Sequence, residues 1–192
     1  MKVLAETNSK DLPQLLKPLT TAYASWIDRQ EIRINNPAEG LENYQNAAKD
    51  AIANCRKTLE RICEGITTLE TNSQATEAFQ FMNRAMWQQR IHSIYAEEKR
   101  RGQESELTAI DLPENRSWRG FQLAFILLNL LSITDLNHRD RSHPTEAIAD
   151  LLWFPTGGGK TEAYPSSVSL VSIKLENKCC EPDVDYGKAA SA

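Results

Sequence analysis

The chain has 192 residues, 41% of them hydrophobic and 25% charged, with a formal net charge of −4. That length allows one domain or two small ones with a sizeable buried core. The mild acidity provides no global basic field for nucleic acid, although a local basic groove stays open. No apolar run approaches the ~20 residues that cross a bilayer. Met1-Lys2-Val3-Leu4-Ala5-Glu6 carries no secretory h-region, so a cytoplasmic protein without a membrane partner is expected. The four cysteines fit a reducing compartment. Cys55 and Cys63 are spaced more than two helical turns apart, too far for a disulfide, and adjacent Cys179-Cys180 lack the C-x-x-C pattern of zinc sites.

The first predicted element is a helix. Leu12, Leu15, Leu16, Leu19, Ala22, Tyr23, Trp26 and Ile27 recur at three- and four-residue steps. Pro18 is expected to kink that helix or to mark its start. The cluster Asn35-Asn36-Pro37-Ala38-Glu39-Gly40 breaks it. A second long helix follows from Leu41, Tyr44, Ala48, Ala51, Ile52, Cys55, Leu59, Ile62, Cys63, Ile66 and Leu69, with Gly65 weakening its last turns. Thr71-Asn72-Ser73 opens a third, with Thr76 and Glu77 early in it and an apolar face that includes Ala75, Ala78, Phe79, Met82, Ala85, Met86 and Ile94. Residues 97–117 turn polar and read as a linker. Residues 118–131 are helix-length and nearly all apolar, hence a buried helix. A charged loop at 135–145 then leads to a short strand at 148–154.

That strand feeds Pro155-Thr156-Gly157-Gly158-Gly159-Lys160-Thr161, a phosphate-binding loop. Glycines let backbone N–H groups turn inward around phosphate oxygens. Lys160 is predicted to pair with the β/γ-phosphates of ATP and the Thr161 hydroxyl to ligate Mg²⁺, at the positive end of a helix. The full P-loop pattern has a glycine where Phe154 stands, so the match is to the core Thr156-Gly157-x-Gly159-Lys160-Thr161 in the form used by superfamily 2 helicases. Upstream lies Trp118-Arg119-Gly120-Phe121-Gln122, an Arg-aromatic-Gln element like those that precede the loop in that superfamily. Arg119 and Gln122 are therefore assigned to nucleotide binding. The Gln122 amide has the geometry to accept from adenine N6–H and donate to N7. The plainer reading of the same residues is a helix start with a hydrophobic staple.

Three stretches together resemble the helicase-like component of bacterial DISARM anti-phage systems. They are Ala78-Phe79-Gln80-Phe81-Met82-Asn83-Arg84-Ala85-Met86, residues 118–127, and residues 150–164 around the glycine loop. The resemblance implies an ATP-dependent superfamily 2 helicase or translocase acting on DNA, with other DISARM subunits as partners. It implies a mainly α architecture: a helical N-terminal domain (1–110), then the truncated start (helix, strand, P-loop) of a RecA-like α/β domain (115–165). Met82-Asn83-Arg84 receives no role beyond core packing and one capped turn.

The rest of the sequence departs from that family. Pro165 falls about five residues into the helix expected after the loop, where proline breaks the hydrogen-bond ladder. Residues 166–192 read as a divergent tail open to disorder, from another reading frame or a gene break. After the loop the acids are Glu162, Glu176, Glu181, Asp183 and Asp185, with no Asp-Glu pair on a following strand. Hydrolysis needs such a pair, and a second lobe with its arginine. No catalytic residue is assigned, and the expectation is ATP–Mg²⁺ binding without hydrolysis by this chain alone. A non-enzymatic helical interaction module with a vestigial nucleotide site is the alternative.

Two further groups receive the plainer reading. His138-Arg139-Asp140 is similar to a kinase catalytic loop, but Thr145 stands where asparagine is required. With His143 it offers metal ligands, though a solvated charged loop is expected. Arg84, Arg90, Lys99, Arg100 and Arg101 form a basic strip interspersed with Glu97, Glu98 and Glu104, as on a solvated helix face.

Overall fold

The computed structural model describes residues 1–150, and the glycine loop and tail lie outside the described residues. The described residues are mainly helical, with no strand among them. In chain order the helices are α1 (Lys2–Glu6), α2 (Leu12–Ile34), α3 (Gln45–Thr71), α4 (Ser73–Arg100), α5 (Leu107–Ile110), α6 (Gly120–Thr134) and α7 (Arg139–Ser142).

Pro18 does not start α2. Leu12 does, followed by Pro13 in the first turn, where a missing N–H is harmless. The helix runs on through Pro18 to Ile34 and buries Leu12, Leu16, Ile27 and Ile34. Tertiary burial along so long a helix outweighs one lost hydrogen bond. The chain then stops where the breaker cluster predicts: the Asn36 side chain accepts from the Ala38 N–H (3.1 Å), and Gly40 takes a left-handed φ of 66°. Leu41 and Tyr44 precede α3 rather than belonging to it, and Tyr44 is exposed.

One residue, Asn72, separates α3 from α4. Its side chain caps the Ala75 N–H at 3.0 Å, and Thr76 Oγ1 donates to Leu69 O at 2.7 Å across the turn. Both bonds satisfy backbone groups that a helix end leaves unpaired.

The polar stretch 97–117 is not an open connection. It is helical to Arg100, turns at Gly102 (φ 73°), and returns along α4 through α5 and a 3-10 turn at Pro113–Arg116. Asp111 holds it there, accepting from Trp87 Nε1 (2.8 Å) and Lys2 Nζ (3.0 Å) and pairing with Arg116 Nε (2.6 Å). The Arg90 Nε–H adds a bond to Asn115 O at 2.9 Å.

The core forms where α3 packs against α2, α4 and α6. Leu12, Leu16, Ile62, Phe79, Met82, Ile126, Leu127 and Leu130 are fully or almost fully buried. Each such side chain contributes about 1.5–3 kcal/mol of transfer free energy. α6 meets α3 at Gly65, where an added Cβ would lie 2.0 Å from the Leu127 carbonyl oxygen. The glycine read as a weak point is therefore what lets the two backbones touch. Among the described residues no helix is long and apolar enough to cross a membrane.

Candidate nucleotide site

Thr156, Gly157, Gly158, Gly159, Lys160 and Thr161 lie outside the described residues. The described part of the candidate site is the start of α6 and the chain that leads to residue 150.

At the start of α6, Arg119 N–H donates to Gln122 Oε1 at 2.9 Å, while Gln122 N–H donates to Arg119 O at 3.0 Å. The first bond is the returning half of a capping box, with glutamine at the third helical position; the second joins backbone to backbone, because an arginine side chain has no acceptor. Gln122 is 4% exposed, whereas Arg119 is exposed. Phe121 and Trp118 flank the pair and are half-buried.

Trp118 is fixed from α4. Its indole Nε1–H donates to Asn83 Oδ1 at 2.7 Å, and Asn83 Nδ2 donates to Phe79 O at 2.9 Å. Asn83 is 0% exposed. The Met82-Asn83-Arg84 element thus has a role the sequence reading missed: Asn83 sets the entry of the motif-bearing helix. The signal was present, because an asparagine on an apolar helix face needs a partner and a buried tryptophan supplies an N–H. Arg84 is exposed.

Beside the α6 start lies a cavity of about 520 Å³ between α2, α3 and α6, lined by Tyr23, Ile62, Phe121, Phe125 and Leu128, with Asp150 among its polar groups. Its size and apolar lining with few polar groups suit a small organic ligand. Burial, with a hydrogen bond to Cys55, pushes the Tyr23 phenol up to about 12, so it stays a neutral donor at physiological pH. Phe121 of the motif and Asp150, which precedes Lys160 by ten residues in sequence, line the same space.

Asp150 is held by Arg61 of α3 through two parallel bonds, Nη1 to Oδ1 and Nη2 to Oδ2, both 2.7 Å. Arg61 Nε also lies 3.0 Å from Asp140 Oδ2, so the one guanidinium faces both carboxylates. The bond to Asp150 holds the guanidinium above its ordinary pKa against the opposing effect of burial. The charged loop is therefore not simply solvated: the Asp140 side chain is 8% exposed. Around it, His138 Nδ1 lies 3.4 Å from the Asp140 N–H and His143 Nδ1 accepts from the Glu146 N–H at 3.0 Å. Among the described residues no three His, Cys, Asp or Glu side chains gather as a metal-ligand set. The basic strip is locally partnered in part: Arg101 pairs with Glu97, and Lys99 Nζ lies 5.3 Å from the centre of the Tyr95 ring.

No protein-family model matches the chain. Over 151 residues, 78% of its length, it is 43% identical to the DISARM protein DrmA of Bacillus paralicheniformis. The chain is related to a DISARM protein. The alignment is too long to be confined to the glycine loop and tail, so the DISARM similarity runs through the helical body as well. The chain spans 12% of the length of that DrmA.

Proposed function

We propose that this chain is part of an ATP-dependent superfamily 2 DNA helicase or translocase of bacterial anti-phage defence, working with other DISARM subunits. The observation that carries the reading is the similarity to a DISARM protein over most of a chain that also contains Gly157-Gly158-Gly159-Lys160-Thr161. In this reading the backbone of residues 156–159 and the Lys160 ammonium hold the ATP phosphates, and Thr161 ligates Mg²⁺. Gln122 and Arg119 stand on the nucleotide's base side, next to the cavity that Phe121 lines. The placement of Phe121 and Asp150 on one cavity supports the pairing of the upstream element with the glycine loop. The chain binds ATP–Mg²⁺ and leaves hydrolysis and movement on DNA to the longer protein.

The test is calorimetric or fluorescent-nucleotide titration of the full chain with ATP and Mg²⁺, beside Lys160→Ala. Saturable, Mg²⁺-dependent binding that Lys160→Ala abolishes is the expected result. No binding at millimolar nucleotide would overturn it in favour of a helical interaction module. One observation favours that second reading: the Gln122 carbonyl oxygen is already engaged by the Arg119 N–H.

A further inference from the structure

The Arg61 cluster is the least ordinary charged group among the described residues. One guanidinium on α3 faces two carboxylates that arrive from elsewhere, Asp140 of α7 and Asp150 beyond it. The three side chains are 15%, 8% and 20% exposed, so water screens them poorly. A second cation, Arg139, approaches Asp140 at 3.5 Å but is itself 84% exposed. The Ile148 N–H closes the loop by donating to Asp140 O at 2.8 Å. Two carboxylates and one guanidinium carry a net charge of −1, so the arrangement depends on the arginine more than on either acid.

Its position gives it a consequence. From the end of α6 at Thr134 to Thr156 the chain counts 22 residues, an extended reach of about 75 Å. From Asp150, held on α3, only six remain, and the reach falls to about 20 Å. A shorter tether narrows the volume that the residues after Asp150 can reach, and so raises their effective concentration for any partner within it.

We propose that Arg61 is a positioning residue that anchors the connection between α6 and the glycine loop, so that α3 sets the nucleotide affinity of that loop. The part concerning affinity rests on the ATP reading above; the anchor does not. Because the coupling is reciprocal, bound nucleotide protects the 140–150 segment in return.

The experiment combines hydrogen exchange and ATP–Mg²⁺ titration on the full chain. Wild type is compared with Arg61→Ala, alone and with added ethylguanidinium, and with Asp140→Asn. In Arg61→Ala the Ile148 amide exchanges about tenfold faster or more, while Leu127 and other α6 amides keep their protection. Nucleotide affinity falls about tenfold in the same variant, because the tether is longer. Ethylguanidinium restores both, which a merely packing role of the side chain would not predict. Asp140→Asn, which leaves a one-to-one pair, changes either quantity less than Arg61→Ala.

Unchanged Ile148 exchange in Arg61→Ala overturns the anchor. Faster exchange with unchanged affinity overturns the control of the loop. Where wild type itself fails to bind ATP, the nucleotide reading falls with its control by α3, and Ile148 exchange alone decides the anchor. If Arg61→Ala loses protection throughout the chain, Asp150→Asn, a near-isosteric change, is judged by the same readouts.

Discussion

Gly65 of α3 and the Leu127 carbonyl of α6 are in backbone contact, with a Cβ built at Gly65 falling 2.0 Å from that oxygen. Two effects oppose each other in Gly65→Ala. Helix propensity favours alanine by about 1 kcal/mol. Overlap with a backbone atom forces α6 away from α3, and overpacking of that kind costs about 3 kcal/mol or more. The overlap wins, so urea denaturation is expected to show a lower midpoint for Gly65→Ala with little change in slope. A midpoint equal to or above wild type would mean that the two helices do not touch there.

Asn83 and Trp118 form the second joint. Asn83→Leu leaves the half-buried indole N–H without its partner, a loss of about 1–3 kcal/mol. Pairing it with Trp118→Phe removes the orphan donor, so the double variant is expected to be more stable than the sum of the single losses. The coupling read from that double-mutant cycle is about 1 kcal/mol or more. Strict additivity would show that the 2.7 Å contact carries no energy.

These joints mark what the sequence could and could not express. Periodicity located α2, α3, α4 and α6, and the Asn35–Gly40 breaker behaved as its residues require, because such signals are local. Gly65 misled, since its meaning depends on Leu127, 62 residues away in sequence. The polar segment 97–117 misled for the same reason: Asp111 gathers Lys2, Trp87 and Arg116, and no window of the sequence brings those residues together. At the candidate site the motif Trp118–Gln122 was legible, and so was its plainer role as a helix start. Arg61 was not, because it acts on a segment far along the chain; Asn83 showed only as an asparagine on an apolar face, its partner Trp118 lying 35 residues on.

Gln122 can be made to choose between its two roles. In Gln122→Glu a side-chain oxygen still accepts from the Arg119 N–H, and a carboxylate suits the first turn of a helix. The amide donor that would serve adenine N7 is gone. Under the ATP reading, the melting temperature is expected to stay within a few degrees of wild type while ATP affinity falls about tenfold and preference over GTP shrinks. Unchanged ATP affinity and preference, with Lys160→Ala still abolishing binding, would confine Gln122 to capping.

The terminal amine provides a pH signature for a polypeptide that begins at Met1. Met1 is 8% exposed, and its amine donates to Arg116 O at 3.0 Å. Burial first, and the nearby Arg116 charge second, lower its pKa from 8.0 to about 6. The folded state therefore resists protonation more than the unfolded chain does. Above pH 8 both states hold a neutral amine and the contribution is complete. As pH falls from 8 to 6 the unfolded chain takes up the proton first, so stability declines through that window and levels off below it. The expected observation is a denaturation midpoint that rises from pH 6 to pH 8, with a smaller slope in the Nα-acetylated chain, which has no amine to titrate. Equal slopes for the free and acetylated chains would place the terminus in water rather than against Arg116.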